Sequence, residues 1–399
     1  MSSLTESDKM RVVLDKTQKS DFIKQLEHRM SKQIIGQGDA IEHILNSVDR
    51  VASGVKNKEK PVLTMLFLGP TGTGKTECVK VLAETIFGNR DSFIRVNCQE
   101  FTSEHMIAKL LGSPPGYVGN EIEPLLSQEN LDKFCKKAIE QKTGIFKTES
   151  VMAEKLYDQY NDDYLTIVLF DEIEKAHPRV WTALLGLMDD GNLSLGKNEK
   201  SSFRNAIIIM TTNVGSKEID KTLKGSIGFS IQNEESRQED VKKKAFEEVK
   251  ELFPPEFCNR FDEVVAFKML TTKDIEQIIG IQLKYFFNTL LESNIPLYIR
   301  YSDSVIKLMV KEGFNQQYGA RHLNRVLKNR LFTPISKFIT TNQVVSGDVL
   351  SVDCDGEEIN FIREPRTNEQ LKRLSDKKID ITPKLEKNKK YSKKKVIKK

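Results

Sequence analysis

The chain has 399 residues, 38% hydrophobic and 30% charged, with a formal net charge of +5. That balance describes a globular protein and excludes a disordered or collagen-like one; at about 150 residues per domain the length suggests two or three domains. No apolar run approaches the ~18 residues that span a bilayer, and the opening MSSLTESDKMRVVLD carries acids where a secretory signal has an apolar core, so no membrane association is expected. The positive charge is local. Residues 384–399 hold nine Lys against one Glu, which is +8 and leaves the rest of the chain at −3. The body is therefore no basic nucleic-acid surface. The tail, 365–399, reads as a solvated, disordered end, with an anionic partner as the alternative. Five Cys (Cys78, Cys98, Cys135, Cys258, Cys354) lie far apart without metal-ligand spacing, and their odd number argues against a disulfide framework. A reducing, cytoplasmic setting fits.

In chain order, the first 30 residues read as a charged helical extension. Asp39 to Ser53 carries Ile41, Ile44, Leu45 and Val48 at helical spacing, and a polar linker, Gly54 to Lys60, follows. Pro61 opens the apolar run VLTMLFL, too short for a stable helix and read as a buried strand ending at Gly69. Phe93 to Val96, Thr166 to Phe170 and Ala206 to Met210 are further short apolar runs, separated by helical patterns. Strands alternating with helices predict an α/β fold, a parallel sheet covered on both faces. From Thr271 the pattern turns helical (Ile275, Ile278, Ile279, Leu283), then closes in extended pieces near Val349 to Val352 and Ile359 to Ile362. That shift predicts a large domain over 31–268 and a smaller, mainly helical one over 269–364.

Gly69, Pro70, Thr71, Gly72, Thr73, Gly74, Lys75 and Thr76 fit G-x-x-x-x-G-K-[ST], between the first strand and a helix expected from Glu77 to Phe87. Glycines let backbone N–H groups turn inward around phosphate oxygens, and the helix N-terminus adds partial positive charge. Lys75 is expected to reach the β- and γ-phosphates of ATP, and Thr76 to hold Mg²⁺. The strand Thr166 to Phe170 runs into Asp171 and Glu172. Asp171 is the second Mg²⁺ residue, through water; Glu172 is placed to orient or deprotonate the attacking water. The strand AIIIMTTN ends in Asn213, whose amide would lie between the two motifs and hold that water against the γ-phosphate. Ligands of such sheets sit at the strands' carboxyl ends, where these motifs fall.

The blocks GPTGTGKTE (69–77), GSPPGYVG (112–119), LFDEIEKAHPRV (169–180), FRNAIIIMTTN (203–213), FPPEFCNRFDE (253–263) and QYGARHLNR (317–325) resemble those of Clp-type AAA+ ATPases, in the family's order, from about Ile34 to Phe361. The likeness is to the C-terminal ATPase module of the double-ring Clp unfoldases. It implies a P-loop domain followed by a smaller lid domain, and an ATPase working as a homo-hexamer on polypeptide clients. By resemblance, Arg260 is an arginine finger given to the neighbouring subunit's γ-phosphate. Arg321 is a sensor coupling nucleotide state to the angle between domains, and Ile34 and Ile35 contact adenine. Tyr117 and Val118, between Gly116 and Gly119, are similar to the axial pore loop, and an exposed Tyr can grip polypeptide without reading its sequence. Gly112 and Gly116 are expected to make that loop mobile.

The chain departs from the family's pattern in places. A second ATPase module and an N-terminal adaptor domain have no room before Ile34, no sustained heptads mark a coiled-coil middle domain, and no Cys precedes Cys78 to bind zinc. The expectation is a single-ring motor. Residues 121–164 form a longer stretch than usual between pore loop and acidic strand. In it Leu131, Phe134, Cys135, Ala138 and Ile139 make one helical stripe, and a second helical piece is expected from Val151 to Tyr160. This insertion reads as a surface helical hairpin or as a docking site for clients. Ile227, Gly228 and Phe229 are similar to the tripeptide by which Clp rings dock on a ClpP-type peptidase; a loop folded onto its own surface is the equal alternative. Delivery to a peptidase, stand-alone remodelling of clients and a regulatory ring therefore stay open. A nucleic-acid motor fits less well, because the body is mildly acidic.

Overall fold

The computed structural model describes residues 15, 17–53, 57–113, 123–143, 165–196, 199–214, 243, 245–314 and 319–364. Its centre is three strands apolar at nearly every position, β1 (Leu63–Leu68), β3 (Thr166–Asp171) and β6 (Ala206–Thr212), buried along their whole length. With β2 (Ile94–Asn97) and β7 (Glu263–Ala266) at the edges they form a parallel sheet in the order β2-β3-β6-β1-β7. Side chains alternate as strand geometry requires. Met65, Phe67, Ile167, Leu169, Ile207 and Ile209 enter one apolar cluster; Leu66, Leu68, Val168, Phe170, Ile208 and Met210 enter the other.

The first cluster is closed by α1 (Asp21–Gln33), α2 (Gly38–Ala52) and α3 (Lys75–Phe87). In α1 the Ser20 side chain caps the start by accepting from the Ile23 N–H, and Phe22, Ile23, Leu26 and Met30 are buried. At about 1.5–3 kcal/mol per fully buried apolar side chain, this helix is part of the core and no mere appendage. The second cluster is closed by α4 (Glu104–Leu111), by α6 (Pro178–Asp190) and by Ala245, Val249, Phe253 and Phe257, the last on the short helix α7 (Pro255–Cys258). Between α4 and β3 runs α5 (Gln128–Glu140), inside the stretch expected to be an insertion. It does not stand off as surface decoration: Leu131 is buried in the second cluster, while Ile139 packs against the first. A small hairpin, β4 (Asn192–Ser194) with β5 (Lys200–Ser202), follows α6.

After β7 the chain crosses at 267–271 into a body with its own core. It contains α8 (Thr272–Glu292), β8 (Tyr298–Tyr301), α9 (Asp303–Gly313), α10 (Ala320–Leu327), α11 (Thr333–Thr340), β9 (Val349–Asp355) and β10 (Glu358–Glu364). Ile275, Ile279, Leu283, Leu323, Leu327, Leu350 and Val352 meet in that core. The start of α8 carries a full capping box between Thr271 and Asp274. The α/β parallel sheet is as expected. The sequence reading misses β7, β8 and the hairpin because each is three or four residues long and only partly buried, so none produces an apolar run.

Candidate nucleotide site

The site begins with strand register. Leu68 pairs with Thr212 and Phe170 with Met210, so the residues just beyond β1, β6 and β3 are brought side by side at the carboxyl edge of the sheet. Those residues are Gly69, Asn213 and the Asp171–Glu172 pair. The loop turns sharply there. Gly69, Gly72 and Gly74 all have positive φ, and a Cβ on Gly69 would lie 2.5 Å from the Phe267 carbonyl oxygen, so only glycine fits. Within the loop the Thr73 hydroxyl donates to the Pro70 carbonyl at 2.9 Å. Helix α3 starts at Lys75, two residues earlier than its sequence pattern suggests, because Gly74 supplies a left-handed N-cap.

Lys75 is buried. Its Nζ donates to the carbonyls of Gly69 (2.5 Å) and Pro70 (2.9 Å) and to Asn213 Oδ1 (3.0 Å). Burial pushes its pKa down to about 8, while the carboxylates of Glu174, Asp171 and Glu172 draw it up and Arg321 opposes them. An ammonium held by neutral acceptors in a dry site is poised to accept a polyanion. Asn213 has its amide orientation fixed chemically. Its carbonyl faces Lys75 and the Thr71 hydroxyl (3.2 Å), while its Nδ2 faces Glu174 Oε1 at 3.4 Å and its N–H donates to the same oxygen at 3.2 Å. The other oxygen of Glu174 is buried and has no hydrogen-bond partner among the described residues.

Asp171 is buried at the end of β3. It accepts from the Thr211 hydroxyl (2.6 Å) and pairs with Arg95 of β2 (2.5 Å). Glu172 follows in a left-handed conformation, φ 57°, with its N–H donating to Thr211 Oγ1 at 3.0 Å and its carboxylate receiving the Gln99 amide. For a non-glycine residue that conformation carries strain, and it turns the carboxylate out of the strand. Arg95 and Gln99 are absent from the motif reading, and Glu174 and Thr211 lie inside its blocks 169–180 and 203–213 without an assigned role; what brings the four together is sheet order, which sequence spacing does not carry.

The remaining expected residues divide. Arg321 lies on the first turn of α10 and is exposed, and its positive charge opposes that of Lys75. Next to it the Ala320 N–H donates to the Gly72 carbonyl at 3.1 Å, and a Cβ on Gly319 would sit 2.7 Å from the Thr71 carbonyl oxygen. A cleft between the two bodies is lined by Pro70, Thr71, Thr73, Met269, Leu270, Ile275, Phe314 and Gly319. Ile34 is buried under Gly74 and Ile35 is half-buried; neither lines that cleft, whose apolar wall is instead Leu270, Ile275 and Phe314. Thr76 lies half-buried at the start of α3.

Arg260 stands at the other end of the sheet. The Thr64 hydroxyl donates to its carbonyl at 2.9 Å, and its own Nε pairs with Asp189 at the end of α6, also 2.9 Å. Thr64 is five residues of strand before Gly69, about 16 Å at ~3.3 Å per residue, so Arg260 is turned away from its own chain's loop.

Tyr117, Val118, Ile227, Gly228 and Phe229, the helical piece expected at 151–160 and the tail lie outside the described residues. The base of the 114–122 segment is described. Gly112, with φ +86°, ends α4 against Gly196, where an added Cβ would approach the Gly112 carbonyl oxygen to 2.5 Å. The Leu125 N–H returns to the Lys109 carbonyl at 3.1 Å. Gly112 thus sits in close contact with Gly196, and residues on both sides of the segment bond to α4. The donor set fits MgATP: a glycine cradle, a buried ammonium bonded to no carboxylate among the described residues, a hydroxyl at Thr76 and a buried carboxylate at Asp171. Among the described residues no cluster of three or more His, Cys, Asp or Glu has a metal-site arrangement, and no helix is long and apolar enough to cross a membrane.

Comparison with known proteins agrees with this geometry. Residues 60–139 and 127–264 match the family described as AAA domain (Cdc48 subfamily), and 270–352 match the C-terminal, D2-small domain of ClpB protein. The chain is 34% identical over 342 residues to the ATP-dependent Clp protease ATP-binding subunit ClpC of Staphylococcus epidermidis, covering 86% of this chain and 38% of the relative. It is 34% identical over 350 residues to ClpC of Staphylococcus aureus strain USA300, covering 88% and 39%. The chain therefore spans about two fifths of the length of these relatives. A closed-state cryo-EM reconstruction of Hsp104 with ATPγS and FITC-casein aligns with a TM-score of 0.63 and 28% identity, over 86% of this chain and 51% of that one.

Proposed function

Since the chain belongs to the Clp family of AAA+ ATPases, ATP hydrolysis is its chemistry, and we propose that it works as a protein unfoldase or remodelling chaperone in a homo-hexameric ring. The observation that carries this reading is the placement of Arg260 at the opposite end of the sheet from Lys75, Asp171, Glu172 and Asn213. One chain holds two half-sites facing apart, and stacking copies around a ring lets each Arg260 meet the next copy's loop.

In the assembled site the roles follow from the contacts. The loop amides and Lys75 bind the β- and γ-phosphates, Lys75 exchanging the Gly69, Pro70 and Asn213 oxygens for phosphate oxygens. Thr76 and Asp171 hold Mg²⁺, which neutralises charge on the phosphates when bound. Glu172 takes up or orients the proton of the attacking water. Asn213, freed from Lys75, holds that water with its carbonyl. Arg260 of the neighbouring copy stabilises charge on the departing phosphoryl group. Arg321 and Gly319 make the small body respond to the occupied loop.

Tyr117 and Val118 are assigned to gripping polypeptide in the pore, on a segment that follows Gly112 at the end of α4. The similarity to ClpC, whose name describes a protease subunit, favours delivery to a ClpP-type peptidase through Ile227, Gly228 and Phe229; release of remodelled clients is the other branch. A cytoplasmic location fits this reading, and polypeptide is the cargo it assigns. The test is a trap. Glu172→Gln protein isolated in ATP from its native cell should retain unrelated polypeptides, lose them on adding Tyr117→Ala, and bring down a peptidase if the delivery branch holds. Retained nucleic acid, or one fixed partner indifferent to Tyr117→Ala, contradicts the threading role.

A further inference from the structure

The buried polar side chain least explained by phosphate chemistry is Gln37. It occupies the N-cap position of α2, where Ser, Thr, Asp or Asn would satisfy a free helix N–H, yet it makes no side-chain cap. Its amide is 2% exposed and is used elsewhere. Nε2 donates to the Thr73 carbonyl inside the phosphate loop at 3.2 Å and to the Lys268 carbonyl at 2.8 Å, and Oε1 accepts from the Lys268 N–H at 2.9 Å. Lys268 lies in the 267–271 crossing between the two bodies. One amide thus joins the loop to both backbone groups of a crossing residue. Only a side chain with two donors and an acceptor on one rigid plane can make all three bonds.

The surrounding segment repeats the pattern. Ile34 lies under Gly74 of the loop. Asp39 pairs with the Lys268 ammonium. A Cβ on Gly36, whose φ is +76°, would lie 2.8 Å from the Asp274 carboxylate, which closes the capping box at the start of α8. Residues 34–39 therefore touch the loop on one side, and the crossing and first turn of α8 on the other.

We propose that Gln37 is the positioning residue that couples the phosphate loop to the crossing between the bodies, so that a shift of the Thr73 carbonyl on nucleotide binding moves Lys268 and, through it, α8. The inference rests on the nucleotide-binding reading of the loop. It does not depend on what the ring acts upon. The Gly319–Thr71 contact is a separate link, which reaches the small body through α10 and bypasses the crossing.

The test uses the full chain with fluorophores placed at Glu104 on α4 and Tyr285 on α8, both exposed. Energy transfer is measured without nucleotide and at saturating ATPγS, saturation being set by titration of each variant. Gln37→Met keeps the length and removes every polar bond; Gln37→Asn keeps the amide one methylene short, and thermal melts confirm that each is folded. At saturation both variants should show less than half of the unsubstituted protein's distance change. A full change in either folded variant overturns the proposal. A chain that binds no ATPγS at any concentration contradicts the ATPase reading instead, and the titration reveals that before any distance is compared.

Discussion

The two ends of the central sheet are built on different terms. At the carboxyl end Lys75 and Asp171 are buried, and each is fixed by several partners, from β1, β3, β6 and β2. At the amino end Arg260 is 40% exposed and has, among the described residues, one ion-pair partner, Asp189, itself 32% exposed. Asp189 also sits near the C-terminus of α6, where a negative charge is disfavoured by the helix dipole. One end is a dry, pre-set cradle, the other a side chain held loosely at the surface. That difference accords with the proposal that one half binds within the chain and the other is given to a neighbouring copy.

The largest effect should come from the loosely held end. Arg260→Ala should leave nucleotide binding intact yet lower ATP turnover about 10³-fold or more, measured by steady-state phosphate release, if a neighbour depends on it. At the cradle, Lys75→Ala removes charge-assisted bonds worth about 1.5–3 kcal/mol each, so nucleotide affinity should fall about 10²–10⁴-fold in a fluorescence titration. Glu172→Gln should keep affinity and lose about 10²–10⁴ in turnover; normal hydrolysis by that variant would remove Glu172 as base.

The comparison extends to stability. Thr211→Val strips a donor from Asp171 and an acceptor from the Glu172 N–H, which should cost about 1–3 kcal/mol in denaturant unfolding. Asp189→Asn breaks only an exposed pair and should cost at most about 1 kcal/mol; equal costs would mean that the ends do not differ as described. The smallest effect is with pH. Lys75 titrates near 8 when folded, against an ordinary 10.5, because burial disfavours its charge. Between those values the unfolded chain holds the extra proton, so this group's contribution to stability rises with pH. Nucleotide binding needs the ammonium and should weaken from pH 7 to 9, a trend that Lys75→Arg, charged throughout, should flatten.

Most of the cradle was legible in the sequence because each part ends its own apolar strand: Gly69 after VLTMLFL, Asp171 after TIVLF, Asn213 after AIIIMTT. A strand followed by a special residue is a local pattern. What joins the parts is sheet order, and so Arg95, which reaches across from β2, gave no signal, while Thr211 and Glu174 lay inside the motif blocks without an assigned role. Gln37 was hidden for the same reason: its partners lie 36 and 231 residues away. The helix α5 was read as part of a surface hairpin or a docking site because an apolar stripe looks the same whatever it meets; Leu131 and Ile139 lie against the flank of the sheet. Gly112 was read as a source of mobility since glycine permits both motion and close approach, and the close approach of Gly196 is visible only in the fold.

The most direct test of two half-sites from different copies is complementation. Glu172→Gln subunits keep Arg260 but cannot hydrolyse; Arg260→Ala subunits keep Lys75, Asp171 and Glu172 but give nothing to a neighbour. Each should be nearly inactive alone, and mixing them should restore ATP turnover, with a maximum near equal proportions. Turnover that stays at the level of the separate variants at every mixing ratio, once subunit exchange is shown, would contradict the account.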